Sequence, residues 1–197
     1  MAPAGASRQA ALACGLVLSI VVQGAMAAPV ATGTGGAVAT ISAQASQSAL
    51  AILNQGGNAI DAAVAAAATL GVTDPFSCGI GGGGFMVIYL ARDKRAITID
   101  HRETAPGKAG PQLFQREGKP LDFETAVASG LSVGVPGTVR GWHEALERYG
   151  SMRFSQVLAP AIAVADKGFR VTANFNQLVA QNEGKFRQFA PTSELYL

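Results

Sequence analysis

Five glycines fall within the six positions Gly79-Ile80-Gly81-Gly82-Gly83-Gly84, and they run directly into the apolar segment Phe85-Met86-Val87-Ile88-Tyr89-Leu90. Glycine has no Cβ, so such a run lets backbone or ligand approach more closely than other residues allow. The spacing Gly79-x-Gly81-x-x-Gly84 imitates a dinucleotide fingerprint. That fingerprint needs a strand before it and a helix after it, because the helix N-terminus holds the pyrophosphate. Here the order is reversed. Upstream, Asn58-Ala59-Ile60-Asp61 opens an alanine-rich stretch to Leu70, which predicts a helix capped by Asn58, with Asp61 in its first turn and Gly71 at its end. Downstream, Phe85 to Ala91 predicts a strand, Arg92-Asp93-Lys94-Arg95 a polar turn, and Ala96 to Asp100 a second, alternating strand. No Gly-Lys-Ser/Thr completes a P-loop, so the context argues against nucleotide binding.

A length of 197 residues suits about one domain, and 49% hydrophobic against 14% charged residues predicts a buried core rather than disorder. A net charge of +2 gives no electrostatic footprint for nucleic acid. At the start, Arg8 supplies a positive region, Ala10 to Val22 an apolar one, and Ala25-Met26-Ala27 a small-x-small cleavage pattern. Residues 1–27 therefore read as a signal peptide and 28–197 as a periplasmic or secreted chain, off the membrane once the signal is removed. A single membrane anchor is the competing reading; the short apolar core and the good cleavage pattern favour export. If Cys14 leaves with the signal, Cys78 is the remaining cysteine and no internal disulfide can form. Cys78 reads as a small buried hydrophobe rather than a nucleophile, since no base stands near it in sequence.

Apolar residues at helical spacing from Ala39 to Leu53 predict an amphipathic helix ended by Gly56-Gly57. The helix that follows is apolar nearly all round, and so is buried. Glu103 to Leu131 is punctuated by proline and glycine and reads as loop. Gly134 to Thr138 predicts a turn with Thr138 capping a helix to Tyr149, whose Val139, Trp142, Leu146 and Tyr149 share a face. Phe154 to Lys167 predicts another helix, interrupted or kinked at Pro160 and closed by Gly168. The class is α+β. One hairpin does not make a stable sheet alone, so the chain reads as the front part of something longer rather than as a bundle around two strands.

Four motifs in order carry a family resemblance: Gly56-Gly57-Asn58-Ala59-Ile60-Asp61-Ala62-Ala63, Gly81-Gly82-Gly83-Gly84-Phe85-Met86, Asp100-His101-Arg102-Glu103-Thr104-Ala105-Pro106 and Val135-Pro136-Gly137-Thr138. Together they resemble the N-terminal part of the large subunit of γ-glutamyltransferase (γ-glutamyltranspeptidase, glutathione hydrolase), from about Ala39 to at least Lys167. The resemblance implies an N-terminal-nucleophile hydrolase with an αββα sandwich, of which this chain carries the N-terminal helices and first core hairpin. It implies cleavage of γ-glutamyl amides such as glutathione, with transfer to water or to amino acid or peptide acceptors through a γ-glutamyl-enzyme. In that family the nucleophile is a threonine exposed by self-cleavage at the start of a small subunit. Its own α-amine can serve as base, and neither a metal nor an organic cofactor is implied. No segment here resembles that threonine-rich start or the glycine pair of its oxyanion hole. The resemblance thus assigns no catalytic residue to this chain, predicts a need for a C-terminal small subunit, and predicts that the 197 residues alone are inactive.

One site residue carries over by role. In the family pattern the arginine of Asp-x-Arg-Glu, here Arg102, binds the α-carboxylate of the γ-glutamyl group. A planar guanidinium suits this because it meets a carboxylate with two parallel charge-assisted hydrogen bonds. The plainer reading is a structural ion pair with Asp100 or Glu103. His101 reads as a strand-end histidine, Glu103 as a possible orienter of Arg102, His143 as packing or surface, and Asp61 as a first-turn helix residue. Thr104 is mid-chain, with no free α-amine to activate it. Two alternatives stay open: a cephalosporin acylase relative that takes glutaryl side chains, and an exported binding module without catalysis.

Overall fold

The computed structural model describes residues 32–197, so the expected signal segment lies outside the described residues. Helix α1 (Ala43–Asn54) and helix α2 (Ala59–Thr73) come first. The α1 N-terminus is fixed by Ser42, whose hydroxyl accepts from the Ala45 N–H, so the helix starts four residues later than the spacing from Ala39 predicts. Its end is a paired-hydrogen-bond stop. Gly56 takes φ +89° and donates to the Leu53 carbonyl, while Gly57 donates to the Ile52 carbonyl. The Asn58 cap holds as expected, and it is reciprocal: Asn58 Oδ1 accepts from the Ile60 and Asp61 N–H groups, and Asp61 Oδ2 accepts from the Asn58 N–H.

Gly71 does not end α2. The ladder runs on to the Asp74 N–H, which donates to the Leu70 carbonyl at 2.7 Å. Pro75 is what stops it: the residue before a proline is driven out of the helical region, and Asp74 sits at φ −144°. Ala62, Ala65, Ala66 and Ala68 of α2 are buried against Ala45, Ala49 and Ile52 of α1. Alanine on both surfaces lets the helices approach closely, and the fully buried Ile52 and Val64 each contribute roughly 1.5–3 kcal/mol.

A four-residue helix, α3 (Pro75–Cys78), leads into the glycine run and then to antiparallel strands β1 (Phe85–Leu90) and β2 (Arg95–Asp100), paired from Phe85↔Asp100 to Leu90↔Arg95. The turn between them needs a left-handed residue, supplied by Lys94 at φ +48°. Met86, Ile88, Leu90, Ile97 and Ile99 face inward, onto Ala145, Ile60 and Tyr149. Phe85, Val87 and Tyr89 point outward and are 63%, 73% and 66% exposed. The stretch after β2 is mostly loop, as read. It holds the small ribbon β3 (Gln115–Arg116) with β4 (Lys119–Pro120), the short helix α4 (Phe123–Val127) and a 3₁₀ turn at Gly130–Ser132.

Helix α5 (Thr138–Tyr149) presents Thr138, Gly141, Trp142, Ala145 and Leu146 to the interior. Two expectations fail here. Val139 is exposed, because the buried face begins one residue earlier, and Thr138 is the first helical residue rather than the cap. Helix α6 (Phe154–Lys167) packs on α2 through Val157 and Ala161 and runs through Pro160 without interruption. Packing on the core outweighs the missing hydrogen bond. Gly168 closes it at φ +76°. Helices α7 (Ala173–Phe186) and α8 (Ala190–Tyr196) were not anticipated. They meet α3 through an aromatic cluster in which Phe76 lies 5.0 Å from Phe175 and Phe186 lies 5.3 Å from Tyr196, centroid to centroid.

Candidate functional site

The glycine run is a spacer between α3 and β1, and its packing explains its composition. The Gly82 carbonyl accepts from the N–H groups of Gly137 and Thr138, at 2.9 and 3.1 Å, and so caps α5 from a distant part of the chain. At Gly83 a Cβ would lie 2.5 Å from the His101 carbonyl oxygen, 2.7 Å from the Glu103 nitrogen and 2.8 Å from Glu103 Oε2. Only glycine fits there. The run therefore serves close backbone approach, as the missing Cβ of glycine allows.

Asp100 ends β2, and His101, Arg102 and Glu103 turn across the glycine segment. Asp100 Oδ1 accepts from the Arg102 N–H at 3.0 Å, which holds the backbone of this turn. The Arg102 side chain is 60% exposed, and its Nη1 stands 3.4 Å from Glu103 Oε2. This is the ion pair that the plainer reading of Arg102 named, with Glu103 as partner. It is a single long contact, which leaves the other donors of the guanidinium unengaged by side chains among the described residues. Glu103 Oε2 is buried and accepts no hydrogen bond. Next in sequence, Thr104 pairs with Val135: the Val135 N–H donates to the Thr104 carbonyl at 2.9 Å, which ties the far end of the turn to the segment entering α5.

A cavity of about 600 Å³ opens at this turn, lined by Gly81 to Gly84, Cys78, Arg102, Glu103 and Trp142 among others. A second cavity of about 370 Å³, with Leu113, Phe114, Leu131 and Val133 in its wall, touches the other side of Arg102 and Glu103. Cys78 is half-buried; burial and then the neighbouring Asp74 charge push its thiol above the ordinary range, which leaves it a weak nucleophile. His143 is exposed on α5 and pairs loosely with Glu147 at 3.7 Å. Thr104 takes part through its backbone.

Asp61 is the polar residue that sequence reasoning undervalued. It is fully buried. Its carboxylate accepts from the N–H groups of Asn58, Ser151 and Met152 and from the Ser151 hydroxyl, at 2.6 to 3.2 Å. Burial alone would raise its pKa, but these donors outweigh it and hold the carboxyl below the usual range. The Asn58 amide reaches the same junction, donating to the Tyr149 carbonyl at 2.7 Å. The start of α2 is thereby bolted to the α5–α6 turn.

Helices packed on one face of a core hairpin, with the hairpin's end turning into a cavity, are the arrangement this chain shares with solved γ-glutamyltranspeptidases, which places it as the N-terminal portion of an N-terminal-nucleophile hydrolase fold. The backbone matches the crystal structure of Helicobacter pylori γ-glutamyltranspeptidase with a TM-score of 0.79 at 33% identity, covering 84% of this chain and 47% of that one. The chain belongs to the γ-glutamyltranspeptidase family, whose profile matches residues 45–197. It is 42% identical over 159 residues to the glutathione hydrolase proenzyme of Bacillus subtilis strain 168, which covers 80% of this chain and 27% of that protein. It is also 42% identical over 160 residues to the acylase ACY 1 proenzyme of Pseudomonas sp. strain SE83, over 78% of this chain and 28% of that one. The chain thus spans about a quarter of the length of these curated relatives.

Proposed function

We propose that this chain is the N-terminal part of the large subunit of a γ-glutamyltransferase and that Arg102 receives the α-carboxylate of the γ-glutamyl donor. The observation that carries the reading is the arginine itself. It stands exposed at the end of a core strand, on a cavity wall, with one 3.4 Å contact to Glu103 and the rest of its fork available. Glu103, from the cavity wall, limits the guanidinium's sweep. The donor is glutathione or another γ-glutamyl amide, and the acyl group passes to water or to an amino acid or peptide acceptor. The nucleophilic threonine comes from a C-terminal small subunit, so the 197 residues alone do not turn over substrate. Residues 1–27 direct export to the periplasm or beyond, on the strength of Arg8, the apolar run and Ala25-Met26-Ala27.

In an intact enzyme carrying this segment, Arg102→Lys replaces a two-pronged contact by a point charge and raises KM for a γ-glutamyl anilide about tenfold or more, with a smaller effect on kcat. An unchanged KM removes Arg102 from the substrate site. A relative named as an acylase proenzyme supports keeping the second reading of the sequence, that of a cephalosporin acylase relative taking glutaryl side chains. Hydrolysis of γ-glutamyl amides with rejection of glutaryl amides decides for the transferase.

A further inference from the structure

The residue before Arg102 is held more tightly than its position at a strand end requires. The His101 N–H donates to the Gly84 carbonyl at 2.9 Å, and its carbonyl accepts from the Gly84 N–H at 3.3 Å. That same carbonyl lies so close to Gly83 and Gly137 that a Cβ on either would collide with it. The imidazole is wedged between Gly84 and one further glycine, Gly141. A Cβ at Gly141 of α5 would stand 2.5 Å from His101 Cγ, and one at Gly84 would stand 3.3 Å from Cε1. Nδ1 is buried without a hydrogen-bond partner, so the seat fits the ring's shape and leaves that nitrogen unsatisfied. Glycines from two separate segments, the glycine run and the start of α5, therefore converge on one residue, and the next residue is the exposed arginine.

We infer that His101 is a positioning residue: its ring, seated between Gly84 and Gly141, fixes the backbone from which Arg102 reaches the substrate carboxylate. This rests on the reading of Arg102 given above. The Cα sets the point from which the arginine stem reaches, and small displacements at a binding group cost affinity steeply. By this reading the ring acts by shape, so phenylalanine should serve in its place.

The test uses the intact enzyme carrying this segment, labelled with ¹⁵N, and follows the Arg102 side-chain Nε cross-peak, which the identity of the neighbouring residue by itself leaves unshifted. Gly141→Ala and His101→Gly are expected to displace that signal, whereas His101→Phe and the control Gly184→Ala, which meets open space, leave it in place. Should Gly141→Ala unfold the chain, Gly84→Ala presses the same ring through a milder contact and is read instead. An unmoved Arg102 signal in folded His101→Gly and glycine variants overturns the inference, and so does His101→Phe behaving like His101→Gly. In an intact enzyme carrying this segment, His101→Gly should raise KM about tenfold with kcat within about twofold. If Arg102→Lys raises KM and His101→Gly does not, the positioning role fails and the carboxylate site stands. If Arg102→Lys has no effect, the carboxylate site fails while the cross-peak still decides the geometry.

Discussion

Asp61 gives the sharpest energetic prediction, because its four donors leave little room for compensation. In Asp61→Ala the N–H groups of Asn58, Ser151 and Met152 lose a charged acceptor, and the Ser151 hydroxyl loses its partner. Hydrogen bonds to a charged group are worth about 1.5–3 kcal/mol each, and orphaned buried donors carry a desolvation cost of about 1–3 kcal/mol. Water entering the space left by the carboxylate recovers part of this, so we expect a net loss of about 3–5 kcal/mol. Asp61→Asn keeps one acceptor oxygen and turns an N–H₂ group towards the Asn58 N–H, for a loss of about 2–3 kcal/mol. Trp142, the only tryptophan, is buried in the same core and reports unfolding by fluorescence. Urea titration at pH 7 should show the midpoint falling in the order wild type, Asp61→Asn, Asp61→Ala. The pH dependence follows from the lowered folded-state pKa. The unfolded value is about 3.9, so the carboxylate's contribution is fully present above that pH and disappears as pH falls through the lower folded value. The gap between wild type and Asp61→Asn should therefore shrink below about pH 4. Equal midpoints at pH 7, or a gap that persists unchanged into strong acid, refute the argument.

Other perturbations follow from the same geometry. Gly57→Ala places a Cβ 2.6 Å from Ile52 Cγ2 and 2.7 Å from Met152 Sδ, and should cost about 1–3 kcal/mol by overpacking, read as a lower thermal midpoint. In a Cys14→Ser background, alkylation of Cys78 should be slow at neutral pH, with a midpoint above the ordinary thiol value of about 8.5; a midpoint below that value contradicts the assigned environment. Val87→Lys on the outward face of the hairpin should cost less than about 0.5 kcal/mol in this chain, read as an unchanged urea midpoint. A clearly lower midpoint would mean that Val87 is packed rather than exposed.

Much of this fold was legible where local chemistry decides it. Asn58 with Asp61 announces the start of α2, Gly56-Gly57 announces the end of α1, and an aromatic, β-branched run, a polar turn and the alternating Ala96–Asp100 give the hairpin, though not which face of its first strand turns inward. What escaped was decided by distant partners. Three of the four donors that make Asp61 a buried anchor, from Ser151 and Met152, lie about ninety residues away in sequence, so local reading could see only a first-turn acid. Thr138 looked like a cap because the Gly82 carbonyl that performs that task lies in another segment. Helices α7 and α8 were missed for a different reason. No residue in either is buried, so the amphipathic stripe that marks a core helix is faint. Thr172, whose hydroxyl accepts from the Phe175 N–H, and Pro191 were the available start signals. At the site, Arg102 could be singled out by its motif, whereas the seat around His101 is made of absent side chains, which no spacing rule reads.

The bond pair at the Gly82 carbonyl has a kinetic consequence. Helix α5 has no side-chain cap of its own, and its first N–H groups are satisfied only once the glycine segment has docked. Closing that long loop carries an entropic cost before the contact returns any stability. The start of α5, the glycine segment and the turn bearing Arg102 should therefore assemble and open as one cooperative unit. Exchange protection at the Gly137 and Thr138 amides becomes a direct clock for the integrity of the Arg102 cavity.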